Sequence, residues 1–201
     1  MDLKEIINKN AILLLSPPLT GKKEFIFLLI KQISNQKGII FITTDETPEE
    51  IKKELLKNKI FFGNNLKFVD CYSAQTLNIY ENTDSIVRVG GPLAFNEISI
   101  AISNFQRNFL KENKQQVIIF NSLSTLLMYT NPLAVARFLQ VIIGKIKNLN
   151  GACVFTLEEG MHEKKDIITI EHLMDLIIKL KKENEKILIN FSDNEKWLPL
   201  F

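Results

Sequence analysis

Short apolar runs rich in Ile, Val and Phe alternate along the chain with longer amphipathic stretches. Strands buried on both faces form continuous apolar runs, whereas helices packed on a sheet place an apolar residue every three or four positions. The pattern therefore predicts an α/β fold with a central, mainly parallel twisted sheet flanked by helices. We expect strands at residues 11–15, 38–43, 66–70, 116–120, 151–157, 176–180 and 186–191.

Amphipathic segments between these strands predict five helices, at residues 22–34, 47–58, 93–112, 122–129 and 132–149. The second begins Thr47-Pro48-Glu49-Glu50, with an N-cap hydroxyl, a proline at the first position and acids in the first turn. Residues 82–91 lead into a Gly-Gly-Pro breaker and are predicted to be irregular. No repeat or linker divides the chain, so we expect one domain over residues 1–201.

Composition limits the classes of partner. The 201 residues are 46% hydrophobic and 24% charged, which excludes a disordered chain. A net charge of +2 leaves no excess for holding nucleic acid, so we expect no nucleic-acid partner. The longest apolar runs, residues 11–15 and 25–30, are far shorter than the ~20 residues that span a bilayer, and we expect a cytoplasmic protein without a membrane segment. Cys71 and Cys153 are expected to be buried thiols.

The loop after the first strand is a candidate phosphate-binding loop, because strand ends and a helix N-terminus converge at such a position. Its residues are Ser16-Pro17-Pro18-Leu19-Thr20-Gly21-Lys22-Lys23. Gly21 and Lys22 match the pattern Gly, four residues, Gly, Lys, Ser or Thr, whereas Ser16 and Lys23 depart from it. An ammonium group has no lone pair for Mg²⁺, and Leu19 hinders close approach of a phosphate to the backbone.

Three further segments follow this loop. Residues 38–51 contain Asp45-Glu46-Thr47-Pro48, residues 117–124 end in Asn121-Ser122-Leu123-Ser124, and residues 171–180 contain Asp175-Leu176-Ile177-Ile178-Lys179-Leu180. In this order they resemble the second strand, the Walker B strand and a late strand of the RecA superfamily, in particular its KaiC/RadA-like branch of archaeal and cyanobacterial ATPases. The resemblance extends from Ala11 to about the end of the chain.

The resemblance implies a RecA-like P-loop fold that binds ATP or ADP between neighbouring subunits, and therefore self-association or a protein partner. It implies that Lys22 contacts the β- and γ-phosphates and that Asp45 or Glu46 orients the attacking water. Asn121 stands where the family has the acid that positions Mg²⁺. The neutral Asn121 and the cationic Lys23 predict that Mg²⁺ is not bound. The stretch Ile189-Asn190-Phe191 also lacks the Lys-x-Arg pair that the family extends to its neighbour's nucleotide.

These losses concern one chemistry, because phosphoryl transfer depends on positioning and charge neutralisation. We therefore expect a non-hydrolysing or very slow KaiC/RadA-like protein, a regulatory or scaffolding subunit that holds a nucleotide through Lys22 and the loop amides. One alternative is an active ATPase that recruits Mg²⁺ through Asp45, Glu46 or the nucleotide itself. Another is a DNA-associated recombinase paralogue, although the sequence has no basic stripe.

Several other polar and apolar groups invite a functional interpretation. Glu158 and Glu159 end a strand and are expected to be solvated, with a place in the site as the alternative. His162 and His172 are ten residues apart without a cysteine partner, so we expect no metal site there. The apolar tail is expected to dock on its own domain, or else in a partner's groove; it comprises Trp197, Leu198, Leu200 and Phe201.

Overall fold

One mixed sheet of nine strands organises the computed structural model, which describes residues 3–191 and 196–200. The strands are β1 (Ala11–Ser16), β2 (Gly38–Thr43), β3 (Leu66–Asp70), β4 (Ile86–Arg88), β5 (Gln116–Asn121), β6 (Ala152–Glu158), β7 (Leu176–Glu183), β8 (Lys186–Phe191) and β9 (Leu198–Pro199). Their order across the sheet is β4-β3-β2-β5-β6-β1-β7-β8-β9. Strands β1 to β7 are parallel, and β8 and β9 each pair antiparallel. The predicted α/β class and mainly parallel sheet are confirmed.

Helices cover both faces of this sheet. They are α1 (Lys22–Ile33), α2 (Pro48–Lys57), α3 (Ser73–Leu77), α4 (Phe95–Lys111), α5 (Leu123–Tyr129), α6 (Pro132–Lys147) and α7 (Lys164–Glu171). The apolar residues of α1 and α2 form one buried cluster with one face of the sheet. Those of α4 to α7 form a second cluster with the opposite face. Two separate cores result, one on each side of the central strands, as expected of an α/β/α arrangement.

A local cap fixes the start of α2, and a ring contact between distant positions fixes α4 against α6. At the start of α2, the Thr47 hydroxyl accepts a hydrogen bond from the Glu50 amide at 3.2 Å, and the Glu50 carboxylate accepts one from the Thr47 amide at 3.1 Å. This reciprocal capping box satisfies amides that have no partner within the helix. Phe95 begins α4 and stacks on Phe138 of α6 with ring centroids 4.3 Å apart, which joins the two helices.

Elements with weak periodicity were not predicted. Strand β4 lies inside the segment expected to be irregular, and its three residues are too few to show an alternating pattern. Helix α7 contains four consecutive β-branched residues, 167–170, which favour a strand locally. Strand β7 continues three residues beyond its expected end, so that the hairpin turn to β8 consists only of Asn184 and Glu185, both with positive φ.

The apolar tail docks on its own domain. Leu198 pairs with Ile189 of β8, and Leu200 is buried in the cluster on the α1 side. The Lys181 ammonium lies 4.6 Å from the centre of the Trp197 ring. The prediction for this tail is therefore confirmed over residues 197–200, and Phe201 lies outside the described residues.

Both cysteines of the chain are buried free thiols, as predicted. Burial raises the pKa of Cys71 and that of Cys153 well above the ordinary value, because the thiolate is poorly solvated in an apolar interior.

Within residues 3–191 and 196–200, no helix combines the length and the apolar character needed to cross a bilayer.

Candidate functional site

The carboxyl ends of four parallel strands bring the candidate residues together. Ser16 of β1 lies opposite Glu158 of β6, and Thr43 of β2 lies opposite Asn121 of β5. Ligands of open parallel sheets bind outside this edge, where the loops open. A cleft of about 370 Å³ lies there, and it is lined by Leu19, Thr20, Gly21, Lys22, Lys23, Glu24, Asp45, Glu46 and Glu158.

The loop that enters α1 forms one wall of this cleft. Gly21 precedes the helix with φ of +69°, and its carbonyl accepts the first helical hydrogen bond, from the Phe25 amide at 2.9 Å. A side chain at this position would approach Ile187 to 2.6 Å, so glycine is required by both conformation and space. Leu19 also has positive φ, at +58°, and its side chain is fully exposed at the rim. Ser16 is buried beneath the loop, whereas Pro17 is half-buried and Pro18 exposed.

Lys22, the candidate phosphate contact, is paired with a carboxylate of the protein. Its Nζ lies 2.8 Å from Oε1 of Glu158, and the two side chains are only 18% and 20% exposed. The expectation that Glu158 is solvated is therefore wrong, because its strand lies next to β1 and directs the side chain under the loop. Glu159, the next residue, is exposed as expected.

Lys23 lies between two carboxylates from the other side of the cleft. Its Nζ lies 3.0 Å from Glu46 and 2.6 Å from Glu54 of α2. Partial burial lowers the pKa of Lys23, but hydrogen bonds to Glu54 and Glu46 raise it, and the net pKa is above the usual value. Lys23 thus remains a cation and joins α1 to α2.

Asn121 occupies the centre of a hydrogen-bonded row at the strand ends. Its Nδ2 donates to Oδ1 of Asp45 at 3.2 Å, and its Oδ1 accepts from the Thr156 hydroxyl at 3.1 Å. Asp45 is solvent-accessible at the cleft mouth, yet the surrounding walls displace part of its hydration. This desolvation raises the pKa of Asp45, and the nearby Lys22 opposes it with a smaller effect.

Comparison with known proteins gives a family without a known activity. Residues 10–180 match the family described as "Family of unknown function (DUF7504)". The chain belongs to DUF7504. None of the curated proteins matches this DUF7504 chain.

Solved structures share the fold of the DUF7504 chain. One of them is the crystal structure of an uncharacterised protein, PH0321, from Pyrococcus horikoshii, in complex with an unknown peptide. The similarity has a TM-score of 0.68 and 14% sequence identity, and it covers 91% of this chain and 83% of that one. At this identity the comparison supports the architecture alone.

The polar groups of the candidate site combine carboxylates with two cations and a neutral amide. Asn121 contributes no negative charge, and the Lys23 ammonium has no lone pair to offer a cation. Among residues 3–191 and 196–200, no group of three or more His, Cys, Asp or Glu side chains is placed to hold a metal ion. Two lysines and four carboxylates line the cleft, so its formal charge is negative. An anion that contacts either lysine therefore competes with the carboxylates that already hold it.

Proposed function

We propose that this protein is a RecA-like, KaiC/RadA-like chain that has lost efficient ATP hydrolysis and acts as a regulatory or scaffolding subunit. The observation that carries the proposal is the state of three neighbouring positions, Lys22, Lys23 and Asn121, which together line a small cavity beside the cleft. Lys22 and Lys23 are both neutralised by carboxylates of the protein, and Asn121 is a neutral amide bonded on both sides.

The chemistry of phosphoryl transfer supports this proposal. The protein accelerates that reaction almost entirely by positioning and by stabilising the charge of the transferred group. The neutralisation of both lysines by carboxylates and the absence of an acid at position 121 each remove part of this stabilisation, which together amounts to several kcal/mol. The strand–loop–helix geometry of β1, residues 17–21 and α1 still suits an anion, so ATP or ADP binds through Lys22 and the loop amides without turnover.

A scaffolding role requires a protein partner or self-association. The structure of PH0321 contains an unknown peptide, which is consistent with a protein-type partner for this fold. We therefore include a protein or peptide ligand in the proposal, alongside the nucleotide.

Titration calorimetry with ATP, ADP and GTP, each with Mg²⁺ and with a chelator, tests the proposal together with a phosphate-release assay. We expect no turnover above background, and any nucleotide binding should be as strong in chelator as in Mg²⁺. Lys22→Ala is the control for binding at this loop. Mg²⁺-dependent turnover that Lys22→Ala abolishes would refute the proposal.

The second candidate is an active Mg²⁺-dependent ATPase, and one observation favours it. Asp45 lies in the cleft near Lys22, is solvent-accessible and has an amide rather than a cation as its hydrogen-bond partner. Such a carboxylate is free to meet a nucleotide-bound cation. The same Mg²⁺ titration separates the two candidates, because only an active enzyme gains turnover from the metal.

A further inference from the structure

We infer that Glu158 is an internal competitor for the anion site, which closes Lys22 to polyphosphates until the carboxylate is displaced. The inference rests on the proposed function, since it concerns the regulation of the same cleft. It adds a gating residue that the resemblance to known ATPases does not assign, and it names the ligand class as a polyphosphate.

The ion pair is built into the sheet. Glu158 is the last residue of β6, in register with Ser16 of the neighbouring β1, and its amide donates to the Ser124 hydroxyl at 2.9 Å. The backbone therefore fixes the origin of the side chain directly beneath the loop. Four-fifths of each side chain is buried, so the pair is weakly screened by salt. A carboxylate held in this way satisfies the ammonium as a phosphate oxygen would.

A second, independent observation concerns an unpartnered polar group beneath the loop, next to the ion pair. The Ser16 hydroxyl is fully buried and has no hydrogen-bond partner among the described residues. Ser16 follows the alternation of Ile12 and Leu14, which pack on the α1 side, and so it faces the helix that carries Lys22. A buried hydroxyl without a partner is energetically costly. An oxygen-rich ligand that enters behind the Lys22–Glu158 pair would satisfy it.

Opening the cleft exchanges one acceptor of the Lys22 ammonium for another, and no covalent bond forms or breaks. The inference concerns Lys22 and not Lys23. Lys23 is held by a different carboxylate, that of Glu54 on α2, at 2.6 Å. A ligand loses affinity in proportion to the fraction of molecules whose site is closed. Removing the Glu158 charge should therefore increase affinity, and removing a nearby charge that does not touch Lys22 should not.

The test compares Glu158→Gln with Glu159→Gln, which removes the same charge from the next, exposed residue. The probe is inorganic pyrophosphate in chelator, with binding followed by titration calorimetry. We expect Glu158→Gln to bind pyrophosphate roughly tenfold more tightly than wild type, as for a site closed in about nine molecules of ten. Glu159→Gln should bind as wild type does, and Lys22→Met combined with Glu158→Gln should lose the gain.

Each outcome decides the inference. Equal affinity of Glu158→Gln and wild type, an equal gain in Glu159→Gln, or no binding by any variant overturns it. Glu158→Asp provides a second variant, in which the charge is retained and the carboxylate is drawn back by one methylene. An intermediate gain in pyrophosphate affinity supports the role of Glu158 as an internal competitor. Mg²⁺-dependent turnover by wild type would instead overturn the proposed function, while the pyrophosphate comparison still decides the role of Glu158.

Discussion

Introducing an acid at Asn121 is the most direct test of how this site handles charge. In Asn121→Asp, the amide that donates to Asp45 at 3.2 Å becomes a carboxylate that repels it. Two unit charges at that distance interact by about 5 kcal/mol at an effective dielectric constant of about 20. Protonating a carboxyl of ordinary pKa at pH 7 instead costs about 4 kcal/mol, and Asp45 costs less because its pKa is raised, so this value limits the penalty.

Because Asp45 is exposed and can turn towards solvent, the expected loss in free energy of unfolding lies between about 1 and 4 kcal/mol. The loss should be greatest at pH 7 and should shrink as the pH falls towards 4, where carboxyls gain protons. Urea unfolding at several pH values measures it. Millimolar Mg²⁺ should then raise the melting temperature of Asn121→Asp, because a dication relieves the repulsion between the two carboxylates.

Asn131→Asp is the matched control for this substitution. Asn131 caps α6 with its Oδ1, which accepts from the Ala134 amide at 2.9 Å, and aspartate retains this bond at a helix N-terminus. Its stability should be unchanged or slightly higher, with no response to Mg²⁺. The reasoning is refuted if Asn121→Asp is as stable as wild type at pH 7, or if Mg²⁺ stabilises wild type to the same extent.

Three further predictions concern stability. Gly38→Ala places a Cβ about 2.5 Å from a phenylalanine ring of α4 and should lower the free energy of urea unfolding by about 1–3 kcal/mol. Gly144→Ala is the control: its Cβ meets nothing within 4 Å, and it should raise that free energy by about 0.5–1 kcal/mol. Equal effects of the two substitutions would contradict the packing. Arg88→Met leaves the fully buried Asp70 without its cation, 3.3 Å away, and should cost about 3–5 kcal/mol, a value that a loss below about 1 kcal/mol would disprove. Because desolvation raises the pKa of Asp45 in the folded state, the free energy of unfolding falls as the pH rises through this raised pKa. Asp45→Asn should therefore raise the melting temperature at pH 7 and leave it unchanged at pH 3. A gain at pH 3 without one at pH 7 would be inconsistent with desolvation of Asp45.

Local signals in the sequence predict most of the sheet and the start of the site. The apolar runs of the central strands are continuous because helices cover both faces. The Thr47 cap is confirmed, and it was predictable because its hydrogen bonds lie within four residues of one another in the sequence. The loop residues from Leu19 to Lys23 share a cleft with Asp45 and Glu46, as expected of strand ends that meet at one edge.

The partners of the two lysines are not predictable in the same way. Glu158 contacts Lys22 because β6 lies beside β1, and this neighbour order is a property of the whole sheet. Its separation from Lys22 by 136 positions leaves no local pattern to detect. Glu54 lies on the charged face of α2, where a solvated side chain is the ordinary expectation. The sequence signal for Glu158 is its position at the end of an apolar strand. The sequence does not show which strand lies beside that one, and therefore does not show which residue Glu158 contacts.

The burial of both native thiols makes this chain convenient for site-specific labelling. With raised pKa values and no exposed sulfur, Cys71 and Cys153 should react slowly with maleimides and iodoacetamides. A cysteine introduced at the fully exposed Leu19 would then carry a spin or fluorescent label at the cleft rim without removal of either native thiol. Such a label would report loop motion as pyrophosphate is added, and it would make displacement of the Glu158 carboxylate observable in real time.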